Sequence, residues 1–264
     1  MPTKILARNL QKTYRTRDVL VHAVRDFNLE IEDGEFVCLV GPSGCGKSTV
    51  LRIVAGLAPA SGGEARIVPG PGGPAGSSKP LNNIVFQEYA IFPWKTVREN
   101  VAFGLQMRGV GRALREAIAD RWIGRVGLRK FANAYPRQLS GGMKQRVSIA
   151  RAFANDPEVL LMDEPLGALD AQTRLVLQQE LLSLWEEDRK TVLYVTHSLE
   201  EAVLLGDRVV LMTAHPGTVK ASFAIEFARP RGLELIASPE FASQILAIWR
   251  LLQEEVISAM ASTG

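Results

Sequence analysis

The sequence predicts an α/β fold with a parallel central sheet, and three observations carry that expectation. The apolar runs FVCLV (36–40), VLLM (159–162) and TVLYV (191–195) suit strands buried on both faces, and longer helical patterns lie between them. The first run enters a glycine-rich turn, GPSGCGKST (41–49), which opens the helix STVLRIVAGL. With 47% hydrophobic and 22% charged residues over 264 positions, the chain can bury the core of one domain, or of one domain and a subdomain.

In chain order, KILARNL and VHAVRDFNLEI alternate as half-buried strands before the turn EDGE, predicting a small antiparallel β layer. PGPGGPAGSSKP (69–80) separates EARIV from NNIVFQ and predicts a surface loop. Residues 98–155 read as a helical insertion. Within it, RALREAIADRWIGRV places Leu114, Ile118, Trp122 and Val126 four apart, as a buried stripe would be. A final helix starts with Ser238 as N-cap and Pro239 at its first position, and Ile245, Trp249, Leu252 and Val256 form its expected packing stripe.

The formal net charge of +3, from 31 basic and 28 acidic residues read as interspersed, requires no polyanionic partner, so no nucleic acid is expected. No apolar run approaches the roughly eighteen residues of a membrane span, and MPTKILARNLQKTY lacks a signal core, so a cytoplasmic protein is expected. Cys38 and Cys45 read as free thiols. Cys45, two residues from Lys47 and beside a helix start, is expected to alkylate readily while serving the turn only as a small side chain.

The turn Gly41, Pro42, Ser43, Gly44, Cys45, Gly46, Lys47, Ser48, Thr49 fits G-x-x-x-x-G-K-[ST] in the strand-to-helix setting that motif needs. Its glycines let backbone N–H groups converge on phosphate oxygens, Lys47 supplies charge to the terminal phosphates, and Ser48 offers a hydroxyl to Mg²⁺. In VLLMDEP, an apolar strand delivers Asp163 as a Mg²⁺ ligand and Glu164 as base for the attacking water. His197, following TVLYVT, is placed to contact a terminal phosphate. The competing structural readings are a tight turn, a solvated carboxylate pair and a packing histidine.

Lys47, Gln87, LSGGM (139–143), MDEP (162–165), GALD (167–170) and THS (196–198) stand in the order and spacing of ABC transporter ATP-binding subunits, which the chain resembles over nearly its whole length. The resemblance implies a P-loop NTPase core over residues 1–230 with a helical subdomain at about 98–155, and a C-terminal helical extension over 231–264. It implies ATP and Mg²⁺ as cofactors, Tyr14 as the adenine platform, and Gln87 as a sensor linking Mg²⁺ to a membrane partner. It makes Ser140, Gly141 and Gly142 a cap on the nucleotide held by a second ATP-binding subunit, with a homodimer expected, and Asp170 a loop aspartate between the two. Permease subunits and, indirectly, a solute-binding protein follow as partners, with the chain peripheral on the cytoplasmic face of the inner membrane. Met143, Gly167 and Ser198 depart from the usual glutamine, serine and aspartate. LSGGM and FPWKTVRENVAFGL resemble the branch importing nitrate, sulfonates and taurine. A soluble ABC ATPase acting as a clamp in repair or translation is the alternative, opposed by the absence of a coiled-coil interruption or a second such domain, and a P-loop kinase or GTPase would leave LSGGM and His197 as coincidences.

Overall fold

The computed structural model describes residues 1–15, 19–70 and 79–262. Strand β1 (Thr3–Arg15) pairs antiparallel with β2 (Leu20–Glu32), as the alternation of KILARNL and VHAVRDFNLEI predicts. Strand β3 (Phe36–Val40) is buried at every residue and runs into helix α1 (Lys47–Val54). That helix stops at Gly56 (φ +75°), where the Gly56 and Leu57 N–H groups return to the Ile53 and Arg52 carbonyls, a left-handed cap that favours glycine. Strand β4 (Gly62–Ile67) then adds to the free side of β1, completing a sheet of order β2-β1-β4. Most of the loop expected at 69–80, residues 71–78, lies outside the described residues.

The chain divides into two compact units, Met1–Pro71 with Asp188–Gly264, and Gly72–Glu187. In the second, β5 (Asn82–Val85) pairs parallel with β6 (Val159–Asp163), and the helical insertion lies between them in sequence. It comprises α2 (Val97–Met107), α3 (Arg112–Arg125) and α4 (Gly141–Ala154), and α5 (Ala171–Asp188) follows β6. Thr96 starts α2 with a reciprocal cap: its hydroxyl accepts from Glu99 N–H while Glu99 accepts from Thr96 N–H at 2.7 Å. The stripe expected on α3 is corrected. Leu114 is 60% exposed and Ile118 half-buried, and the covered residues are Ala119, Trp122, Ile123 and Val126. Their spacing follows the helical repeat more closely than steps of four, which drift around the helix.

The charges are not interspersed either. Residues 98–155 hold twelve basic and three acidic side chains, a net +9 in a chain whose total is +3. The whole-chain figure hid this because the remaining sequence is net acidic.

The first unit is completed by β7 (Thr191–Val195), α6 (Leu199–Leu205), β8 (Arg208–Met212), β9 (Val219–Ala224), α7 (Leu233–Ile236) and α8 (Pro239–Ser262). β7 and β8 flank β3 in parallel, opposing Val37 to Leu193 and Cys38 to Val209. β9 pairs antiparallel with β8, an edge that the apolar-run pattern did not predict because its residues are half-exposed. The Ser238 hydroxyl accepts from Phe241 N–H at 3.2 Å and caps α8 as expected. The stripe on that helix is corrected as well: Trp249 is 43% exposed, Ile245 and Val256 are half-buried, and Phe241, Ile248 and Leu252 are the buried residues.

Candidate functional site

In the first unit, the loop 41–46 crosses from the buried end of β3 to α1 in a conformation that needs glycine. Gly44 and Gly46 have φ of +76° and +104°, and a Cβ on Gly46 would lie 2.8 Å from the Ala23 carbonyl oxygen. No side chain caps α1, so its first N–H groups face the loop without an intrahelical partner, the arrangement that receives anions. Lys47 is buried, and its ammonium donates to the Gly41 and Pro42 carbonyls at 2.9 and 2.8 Å. Ser43 and Gly44 are exposed at the tip, and Ser48 and Thr49 are half-buried. Tyr14, at the end of β1, is 40% exposed and stands beside this loop, its hydroxyl 3.4 Å from Thr49 Oγ1, with the Lys12 ammonium over its ring. It is not a core aromatic.

Cys45 overturns the expected reactivity. Its side chain is 1% exposed, and burial pushes the thiol up from its ordinary range, an effect that the nearby Lys47 ammonium only partly offsets. Iodoacetamide should therefore label Cys45 in the native chain on the order of tenfold or more slowly than in denaturant. Mass spectrometry resolves this, and equal rates in the two conditions would refute the burial argument. Cys38 is also buried and free.

His197 is exposed just beyond β7. The loop is held from beneath: the Thr196 hydroxyl donates to Glu201 and accepts from Ser198 N–H at 3.1 Å, and the Ser198 hydroxyl accepts from Glu201 N–H at 3.2 Å, capping α6. Serine at 198 thus retains a capping oxygen where an aspartate would also supply one. The far end of α6 is held by Arg231, whose buried guanidinium donates to the carbonyls of Val203, Leu204 and Gly206. Sequence reading passed over Arg231, because a single arginine in a loop gives no local sign of burial.

In the second unit, Asp163 ends β6 buried and Glu164 follows half-buried with φ +44°, an uncommon conformation for a non-glycine residue. Gly167 N–H returns to the Glu164 carbonyl at 3.1 Å. A Cβ at Gly167 would make only ordinary contact with Glu164, so nothing in the packing requires glycine there. Asp170 accepts from Thr173 N–H at 3.0 Å at the start of α5, and that hydrogen bond holds its carboxyl below the usual range.

Ser140 is the N-cap of α4, its hydroxyl accepting from Met143 N–H at 3.3 Å. Other side chains press closely on the two glycines after it. A Cβ on Gly141 would lie 2.8 Å from Tyr89 Oη, and one on Gly142 would lie 2.8 Å from Thr173 Cγ2. The signature turn and the Asp170 turn are thereby brought together through Thr173. Gln87 is exposed just past β5. Two residues that sequence reading missed, Tyr89 and Arg151, tie the segment after Gln87 to α4: Tyr89 abuts Gly141, and Arg151 donates to the Ala90 carbonyl at 2.8 Å and covers the Phe92 ring.

The ABC transporter family model matches residues 24–167. This chain is a member of the ABC transporter family. Its fold is that of the P-loop ABC cassettes, and it is an ATP-binding ATPase. An uncharacterized ABC transporter ATP-binding protein of Methanocaldococcus jannaschii is 47% identical over 264 residues, covering 98% of this chain and 95% of its own length. The nitrate import ATP-binding protein NrtD of Synechocystis sp. is 43% identical over 92% of this chain and 93% of its own. The taurine import ATP-binding protein TauB of Pelagibacter ubique is 41% identical over 96% and 97%. Among solved structures, the ATP-binding cassette MJ0796 in a dimeric post-hydrolysis state bound to ADP and Pi is 34% identical with a TM-score of 0.73, over 85% of this chain and all of that one. Among the described residues, no helix of this ABC subunit is long and apolar enough to cross a membrane.

Proposed function

We propose that this ABC ATPase energises import of a small solute, such as nitrate, a sulfonate or taurine, through membrane permease subunits. The phosphate cradle carries the proposal: positive-φ glycines, an uncapped helix start and the buried Lys47 ammonium suit a nucleoside triphosphate. The relatives named for nitrate and taurine import support the direction of transport and the class of solute. In this reading Gly41 to Thr49 bind the phosphates, with Lys47 as their point charge, and Tyr14 stacks on adenine. Glu164 takes the proton of the attacking water and His197 contacts the terminal phosphate.

Mg²⁺ is proposed as the accompanying ion, with Ser48, Asp163 and Gln87 to hold it. Their hydroxyl, carboxylate and amide oxygens are the hard donors that suit such an ion, which keeps most of its shell as water and substrate oxygen. When bound, it neutralises charge on the phosphates. Two copies are proposed to close head to tail, with Ser140, Gly141, Gly142 and Asp170 facing the partner's nucleotide, as suits the dimeric cassette MJ0796. The ATP-binding domain is read as residues 1–230, extended by the helices of 231–264. The subunit would lie on the cytoplasmic face of the inner membrane, with a solute-binding protein acting indirectly.

The test is purification of the tagged chain from detergent-solubilised membranes of its source. A polytopic membrane protein is expected in stoichiometric amount, with ATPase activity raised in the assembly. Recovery only from the soluble fraction, as dimers without a membrane partner, would favour the clamp reading.

A further inference from the structure

Three of the twelve basic residues in 98–155 line one cavity. It measures about 370 Å³ and is lined by Arg98, Asp120, Arg121, Ile123, Arg129 and Ala132. Arg98 is already engaged, donating to Asp120 at 2.7 Å and to Asn133 at 2.9 Å. Among the described residues, no hydrogen bond or ion pair engages the guanidinium of Arg121 or Arg129. Three cations around one carboxylate leave a formal excess of two positive charges facing a space larger than a single water or halide would need.

The absence of a side chain beneath Arg129 gives its guanidinium room. It lies across α3 at Gly124, where a Cβ would stand 2.6 Å from its Nε and 3.1 Å from Nη2. Glycine inside a helix lowers stability relative to alanine, so its presence here has a local use: it lets a guanidinium lie against the helix backbone at the cavity wall.

We infer that this cavity of the helical insertion is a binding site for a phosphate group, with Arg121 and Arg129 as its ligands and Arg98 as a supporting charge. A phosphate monoester carries about −1.5 to −2 charge at neutral pH and three acceptor oxygens, which matches two free guanidinium forks and the local excess of two charges better than one carboxylate does. Ile123 and Ala132 give the cavity an apolar wall, suited to a phosphate that is attached to a larger body. That body is either a soluble compound or a lipid whose headgroup is a phosphate monoester.

The test titrates the full-length chain with inorganic phosphate and follows the arginine Nε–Hε signals by NMR. Those of Arg121 and Arg129 report on this cavity and not on the loop at 41–49. Both are expected to shift together and saturate. Arg129→Ala should weaken the response of Arg121 about tenfold. Gly124→Ala should do the same by displacing Arg129, while its thermal midpoint stays level or rises because alanine favours the helix. Flotation with phosphatidylcholine vesicles, with and without phosphatidic acid, whose headgroup is a phosphate monoester, then identifies the source. Retention on the anionic vesicles that is lost in Arg121→Ala/Arg129→Ala indicates a headgroup, and saturable phosphate binding without vesicle retention indicates a soluble compound. Shifts that fail to saturate, or that saturate in Gly124→Ala and Arg129→Ala as readily as in the parent, overturn the site.

Discussion

Glu164→Gln is expected to bind ATP as the parent does and to hydrolyse it roughly 10² to 10⁴ times more slowly, the usual worth of a positioned general base. That range corresponds to about 3–5 kcal/mol of transition-state stabilisation. Glu164 follows a strand that is buried at all five residues, and its own side chain is half-buried. Its φ of +44° belongs to the backbone, so a near-isosteric glutamine should keep the same strained turn and lose only the ability to accept a proton. The measurement is single-turnover hydrolysis alongside equilibrium binding of a fluorescent ATP analogue. Unchanged turnover would remove Glu164 from the role of base, and a parallel loss of binding would show that the turn itself had been disturbed.

The second large effect is expected at Ser140. Replacing it with arginine should leave ATP binding to the subunit's own cradle nearly intact and abolish the closed dimer, because bulk and charge would then occupy the start of α4. The structure adds a control to this experiment. Ser140 caps its own helix through Met143 N–H, so replacement by arginine also removes a cap worth about 0.5–2 kcal/mol. Ser140→Ala loses the same cap without the bulk and should still dimerise. Mixing Ser140→Arg with Lys47→Ala chains then separates action in trans from action in cis. One interface of the mixed dimer pairs both defects, and the other pairs an intact cradle with an intact signature. One working site should form where neither variant alone has any, read as an ATP-dependent dimer by light scattering in a Glu164→Gln background. Dimers of Ser140→Arg alone, as abundant as those of the parent, would end the trans assignment.

Much of this was legible in the sequence because the relevant physics is local. Five-residue runs that are apolar at most or all positions have few alternatives to buried strands, and FVCLV and TVLYV took that place. Ser140 and Ser238 precede helical patterns and cap them. The cradle was readable because glycine at 44 and 46 answers a demand of its own backbone, a positive φ. Family membership likewise followed from ordered short motifs.

What the sequence by itself determined is therefore the buried strands, the caps at Ser140 and Ser238 and the glycine-rich turn after β3, each decided by neighbours within a few residues. The tertiary structure alone decided which apolar faces are covered: Ala119 and Ile123 on α3 instead of Leu114, and Ile248 on α8 instead of Trp249. It also decided that Cys45 is sealed from reagents, that Arg231 is buried as a cap on α6, and that β9 closes a parallel sheet in antiparallel sense. The surplus of basic residues in 98–155 could be counted in the sequence, but only the fold brings Arg98, Arg121 and Arg129 to one cavity. The physical reason is common to all of these. Burial and convergence depend on which distant segments come to cover a side chain, whereas periodicity reports only the faces that a segment has to offer.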